Sequence, residues 1–156
     1  MNEMDVLENK IIVCQLEKEE YAITVDHVGS IERILPITRV PSTPKFVKGV
    51  INLRGVVTPV IDLKERFYQK ETKFTPQTRI IIVNVDDFTV GIIVDSANDV
   101  IDINHEQIEP APETVGVAVV DYIRGVIKLE KRLLILLDLH KVLYKEELND
   151  LKALEG

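Results

Sequence analysis

A mainly β fold built as two small barrels is what this sequence predicts, and three observations carry it. The chain repeats itself, its apolar residues fall in short runs between turn residues, and Val, Ile and Leu must fill its interior. Phe46-Val47-Lys48-Gly49-Val50-Ile51-Asn52-Leu53-Arg54-Gly55, continuing through Val56 to Leu63, returns 76 residues later as Tyr122-Ile123-Arg124-Gly125-Val126-Ile127-Lys128-Leu129, running on to Leu139. Gly49/Gly125, Ile51/Ile127, Leu53/Leu129 and Asp62/Asp138 coincide without a gap. Upstream of each copy, Ile11 to Ile34 aligns with Ile80 to Ile103 at an offset of 69. Two copies of one supersecondary unit are therefore expected. Hydrophobic residues make up 46% of the 156, but aromatics only 5%, with no Trp. An interior rich in β-branched residues favours strands.

The elements follow in order. Ile11 to Leu16 and Tyr21 to Val25 flank the charged turn Glu17-Lys18-Glu19-Glu20 and read as a hairpin. The second half repeats it as Ile80 to Val85, Asp86-Asp87, and Phe88 to Val94. A short helix is expected after each hairpin, over Asp26 to Ile34 and Asp95 to Ile101, with Asp26 and Asp95 as caps. Leu35 to Lys45 carries Pro36, Pro41 and Pro44 and reads as a rigid surface loop. Its Pro41-Ser42-Thr43-Pro44 also fits the P-x-x-P pattern of a polyproline ligand. Val47 to Leu53 and Val56 to Ile61 form a strand pair turning at Arg54-Gly55, with Pro59 expected at an edge or a bulge because it lacks an N–H. Asp62-Leu63-Lys64-Glu65 reads as a capping box opening a short helix to Tyr68. Gln69 to Thr78 connects the repeats. Ile103 to Glu113, with Pro110-Ala111-Pro112, reads as a stiff exposed elbow. Val115 to Val120, Tyr122 to Leu129 and Leu133 to Leu137 are strands, and Asp138 caps the last element. Leu139, Val142, Leu143, Leu148, Leu151 and Leu154 recur at helical spacing and predict a C-terminal amphipathic helix. Some five short strands per half read as two barrels rather than as βαβ units.

Charge and composition exclude several partner classes. The net charge is −7 and the pI about 5.0. Nucleic-acid binding needs a basic surface to release counterions, and so does a polybasic membrane contact. No run approaches the ~20 apolar residues that span a bilayer, and Met1 to Asn9 is no signal peptide. A reducing cytoplasm is the expected home. Cys14, the single cysteine, lies within an apolar run and reads as a buried, inert thiol.

Catalytic and metal motifs are lacking, and no cofactor site is expected. His27, His105 and His140 are scattered without metal-ligand spacing. Asp62 and Asp138 are equivalent across the repeat, as the shared-proton carboxylates of aspartic hydrolases are. Their continuations, Leu63-Lys64 and Leu139-His140, lack the following Thr or Ser and Gly of those enzymes, so two helix caps are the preferred reading. Arg54 sits in an otherwise apolar strand pair. It is either a turn arginine bonded to strand-end carbonyls or a guanidinium at a groove lip, aimed at a partner.

The block Lys48-Gly49-Val50-Ile51-Asn52-Leu53-Arg54-Gly55 with Val60-Ile61-Asp62-Leu63 resembles the hallmark of the CheW family, the coupling proteins of bacterial chemotaxis. Glu20-Tyr21, Val90-Gly91-Ile92-Ile93-Val94-Asp95 and the Pro-Ala-Pro of Ile108 to Glu113 extend the resemblance over residues 10–148. It implies a single CheW-like domain of two five-stranded SH3-like barrels around a shared hydrophobic core, with approximate repeats at 10–68 and 79–143. It also allows a strand to be exchanged, so that sequence halves need not equal structural subdomains. It implies a non-catalytic adaptor between the cytoplasmic tip of a chemoreceptor and the regulatory domain of the histidine kinase CheA, recruited to membrane receptor arrays without inserting in the membrane.

By resemblance, the receptor-binding positions are Val28, Ser30, Ile31, Arg54 and Val100. Ordinary core positions explain Val28, Ile31 and Val100 equally well. Ser30 departs from the family, many of whose members carry an acidic residue there. The kinase-binding positions implied are Glu109, Pro110, Pro112 and Glu113, where a plain linker is the competing reading. Among related architectures, a CheV-type coupler would need a receiver domain of ~100 residues, and only about 17 follow Leu139. An excised kinase regulatory domain or a double-barrel module with other partners completes the alternatives.

Overall fold

The computed structural model describes residues 9–111 and 121–143. β1 (Lys10–Leu16) and β2 (Glu19–Thr24) form the first hairpin; β6 (Arg79–Val85) and β7 (Phe88–Val94) form its repeat. The two turns match in detail: Glu17 and Asp86, 69 residues apart, both adopt left-handed backbone, at φ 55° and 54°.

The short helices expected after the hairpins are strands instead. A single 3-10 turn, Val25–His27, leads into β3 (Val28–Arg33), and β8 is Ser96–Asp102. Asp26 makes no cap: the N-cap is Thr24, without a side-chain bond. Asp95 accepts the Glu17 amide at 2.8 Å and pairs with Lys64 at 2.7 Å. The helical spacing arises from a bulge. Gly29 falls between partners in the β3–β6 ladder, and Asn98, its repeat equivalent, does the same in β1–β8. One extra residue puts positions three apart on one face of a strand.

β4 (Val47–Leu53) and β5 (Val56–Asp62) meet at the Arg54-Gly55 turn, where both residues have positive φ (51° and 88°), as a two-residue hairpin requires. Pro59 is not at an edge. β5 is internal, but its ladder with β7 begins at Val60, so no sheet bond is asked of the proline nitrogen on that side. Asp62 caps the Leu63–Tyr68 helix as expected, whereas Glu65 does not close a capping box. Its carboxylate pairs with Lys48, and the Asp62 amide donates to Phe46 O at 2.7 Å. β9 (Ile108–Glu109), β10 (Ile123–Lys128) and β11 (Leu133–Leu137) follow, then a helical turn, Leu139–Val142, capped by Asp138. The expected strand Val115 to Val120 and the helix beyond Leu143 lie outside the described residues.

The sheets are ordered β8-β1-β2-β11-β10-β9 and β3-β6-β7-β5-β4. Each takes its hairpin from one repeat and its remaining strands from the other. The hairpins join the other repeat through the parallel pairs β2/β11 and β5/β7 and the antiparallel pairs β1/β8 and β3/β6. Each barrel closes where the chain leaving its edge strand β3 or β8 meets the strand at the far side, β4 or β10: Thr38 bridges Val50, and β9 pairs with β10. Gly49 permits the first closure. A Cβ there would lie 2.0 Å from Thr38 O, and its φ is +140°. Gly125, its repeat partner, plays the same part beneath Glu109, whose carbonyl oxygen would be 2.8 Å from a Cβ.

Strand alternation divides the apolar side chains among three clusters. Ile11, Val13, Ala22, Ile127, Leu134 and Leu136 fill one barrel; Ile51, Val60, Ile80, Ile82 and Ile93 fill the other. The largest cluster is the seam between them, with Ile12, Cys14, Tyr21, Ile81, Val83, Phe67 and Leu139 among its members. Phe67 stacks on Tyr122 at 5.0 Å, and the Tyr21 and Tyr68 hydroxyls share a hydrogen bond at the seam's margin. Burial pushes the Cys14 thiol up to about 12, which keeps it protonated and inert.

Candidate functional site: a groove along the seam

Two edge strands border the seam, one from each barrel. In β3, Val28 lies opposite Val83 and Ile31 opposite Ile81; in β8, Ala97 lies opposite Cys14 and Val100 opposite Ile12. All four inner partners belong to the seam cluster. Directly opposed residues of an antiparallel pair share a face, so Val28, Ile31, Ala97 and Val100 all face the seam. Val28 and Ala97 pack against it, while Ile31 and Val100 emerge at its margins with 39% and 63% exposure. Ile31 and Val100 are repeat equivalents, 69 residues apart. Each of the two edge strands that border the seam thus carries an exposed large apolar residue on its seam-facing side.

Ser30 and Arg54 lie elsewhere. Ser30 and Glu32 oppose Ile82 and Ile80, which fill the barrel interior, so they share the other face of β3. Glu32 joins the two implied positions. The Arg54 Nη2 donates to Glu32 Oε2 at 2.9 Å, and the Ser30 hydroxyl lies on the same face of the strand, where it favours the Glu32 carboxylate. The Ser30 hydroxyl, then the Arg54 guanidinium, holds the Glu32 carboxyl below its usual range. Sequence reasoning missed Glu32; its alternation with Ser30 on a strand was the available signal, hidden by the helical reading. Val56 and Val57, beside the Arg54 turn, are also exposed. The Arg54 side chain bonds Glu32 rather than strand-end carbonyls; Asn52 Oδ1 accepts the Gly55 amide at 2.7 Å and holds the turn.

Glu109 and Pro110 are exposed, and Ala111 packs against the seam. Pro112 and Glu113 lie outside the described residues. A second cationic centre, Arg132, bonds Glu20 through Nε at 3.1 Å and Nη2 at 2.7 Å, and reaches Asp99 on β8 at 3.3 Å. It ties the β10–β11 turn to the hairpin of the other repeat.

Asp62 and Asp138 serve as caps. The buried Asp62 carboxylate accepts four bonds, from the Lys64 and Glu65 amides (3.1 and 3.3 Å) and from the Thr72 amide and hydroxyl (2.8 and 2.7 Å). Asp138 accepts the His140 amide at 3.1 Å. His140 also lies 3.4 Å from Asp86 and edge-on to His27. Among the described residues no group of His, Cys, Asp and Glu is arranged to hold a metal, and no helix is long and apolar enough to cross a membrane.

The pattern of the CheW-like domain family matches residues 10–147. A chemotaxis protein CheW of Bacillus subtilis (strain 168) is 49% identical over 137 residues, covering 88% of each chain. Another from Klebsiella aerogenes is 40% identical over 139 residues, covering 89% of this chain and 84% of its own. The crystal structure of the scaffolding protein TtCheW from Thermoanaerobacter tengcongensis is 35% identical and superposes with a TM-score of 0.81, covering 90% of this chain and 95% of that one.

Proposed function

The chain belongs to the CheW family, and on that footing we propose that it couples the cytoplasmic tips of chemoreceptors to the regulatory domain of the histidine kinase CheA, as a cytoplasmic adaptor recruited to receptor arrays. The observation that supports this reading is the exposure of Ile31 and Val100 on the seam-facing sides of β3 and β8, beside Val28 and Ala97, which pack on the seam; we read the seam between these strands as a groove with Ile31 and Val100 on its lips. A receptor tip is a helical bundle, and an apolar ridge on a helix fits such a groove. Arg54, clasped by Glu32, sets a fixed guanidinium on the same barrel for polar contact with that partner.

The kinase contact belongs to the other barrel, around Glu109 and Pro110, with Pro112 and Glu113 next to them in sequence. The prolines restrict the backbone and reduce the ordering cost of docking. Binding by two separate surfaces lets one partner's state bias the other's placement, for which a coupling of about 1–3 kcal/mol is enough. Nothing in this role requires bond chemistry.

Calorimetric titration tests the reading, first with the CheA regulatory domain and then with a receptor-tip fragment from the same bacterium. Saturable binding to both, each weakened by substitutions on a different surface, is the expected result. A folded chain that binds neither overturns it.

A further inference from the structure

The two lips of the groove end differently. On β8, Asp102 lies directly opposite Lys10 of β1, and the two form an ion pair at 3.2 Å. The repeat equivalents of these residues, 69 positions away, are Arg33 on β3 and Arg79 on β6, which are likewise direct partners. A neutral pair in one barrel is therefore a doubly cationic pair in the other. Two residues along from Ile31 and Ile81, these arginines lie on the same, seam-facing side. Arg79 is half-buried and fixed, its Nη1 donating to the Pro76 and Thr78 carbonyl oxygens at 2.8 Å each. Arg33 is exposed. The neighbouring Glu32 is on the opposite face, engaged by Arg54 and Ser30. Among the described residues no carboxylate forms an ion pair with either arginine.

Like charges placed directly opposite across a ladder destabilise the sheet. In a chain of net charge −7, with the balancing carboxylate present at the equivalent site, such a pair marks a place where a partner supplies the anion. We infer that the Arg33–Arg79 lip selects the occupant of the groove by charge, receiving an aspartate or glutamate side chain that flanks the occupant's apolar ridge. The inference rests on the receptor-tip reading above and adds to it the chemistry of the docked helix: an acidic residue on the side that meets β3. Arg79, held by two carbonyls, is pre-positioned, and Arg33 closes on the carboxylate from solvent.

The test is titration of the whole chain with a purified receptor-tip fragment, comparing wild type, Arg33→Gln and Lys128→Gln. Lys128 is an exposed cation on β10, a strand that pairs with neither β3 nor β8, so its substitution makes the same change in net charge off both lip strands. Arg33→Gln is expected to weaken binding about fivefold at low salt, with the difference shrinking at high salt as screening takes over. Lys128→Gln is expected to bind like wild type. Melting of Arg33→Gln should occur no lower than that of wild type, since a like-charge contact is removed; a merely structural arginine would lower it. Equal affinity for wild type and Arg33→Gln overturns the inference alone, as does an equal loss in both variants. If wild-type chain, folded, fails to bind the tip, the receptor reading falls and this inference falls with it.

Discussion

Arg54 reaches from the β4–β5 turn to Glu32 on β3, with Nη2 2.9 Å from Oε2. The contact joins β3 to the turn that ends β4, the two end strands of their sheet, and Arg54 is itself 69% exposed. An ion pair this open to water contributes under about 1 kcal/mol. Arg54→Glu, which replaces attraction by repulsion, should therefore leave thermal unfolding nearly unchanged. Its effect should appear in titration with a receptor tip as a loss of about fivefold or more in affinity. A large fall in melting temperature with affinity retained would make Arg54 a structural residue instead.

Glu32 gives a pH signature of the same cluster. Its carboxyl is held low by the Ser30 hydroxyl first and Arg54 second. A depressed folded pKa stabilises the fold above the ordinary carboxylate pKa of about 4.3. That contribution is lost as pH falls through the lower folded value. Ser30→Ala should move the Glu32 titration upward, as followed by NMR of the side-chain carboxyl carbon. An unchanged midpoint would remove Ser30 from the cluster.

Asp62 stands for the opposite regime. Its carboxylate is buried and fully engaged by two helix amides and by Thr72. Asparagine in its place keeps one acceptor and turns an N–H₂ toward donors. Asp62→Asn should lower stability by about 3 kcal/mol, measured by denaturant unfolding. Asp138→Asn, where a half-buried carboxylate accepts the His140 amide, should cost about 1 kcal/mol. Equal, negligible costs would argue against capping as the reason for the duplicated aspartates.

How much of this was legible follows from the range of each interaction. The repeat, the hairpins, the Arg54-Gly55 turn and the Asp62 cap are local, and residue types at fixed offsets announce them. The distribution of hairpins between sheets is a long-range choice. β1–β2 and β6–β7 present equivalent apolar faces, and nothing local says which set of later strands each joins. Val28 and Ile31 illustrate a subtler failure. Three residues apart and both apolar, they read as a helix face; the bulge at Gly29 gives a strand the same spacing. Once β3 is a strand, Glu32 falls on the face of Ser30, and the partner of Arg54 becomes visible.

Gly49 tests barrel closure. Any side chain there collides with the Thr38 carbonyl, and its backbone at φ +140° is strained for other residues. The collision is with backbone, so no rotamer relieves it. Gly49→Ala should cost about 3 kcal/mol and loosen the Thr38–Val50 bridge, seen as faster amide exchange at Thr38 and Val50. Stability equal to wild type would mean that the closing segment can move aside freely.

Ile31 and Val100 decide between core and groove. A core residue replaced by a charge destabilises by several kcal/mol, because the charge must be desolvated or the packing opened. These two side chains are 39% and 63% exposed, on lips where solvent already reaches them. Ile31→Lys and Val100→Lys should therefore change stability by less than about 1 kcal/mol each, measured by denaturant unfolding. Both should weaken binding of a receptor tip, because an ammonium placed on either lip must lose hydration when an apolar ridge covers it. If one occupant meets both positions from opposite barrels, the combined variant should lose more than either alone. Kinase-domain affinity should remain at the wild-type value in all three. If the lysines instead unfold the chain, Ile31 and Val100 belong to the core; if they weaken kinase and receptor alike, the groove is not reserved for the receptor.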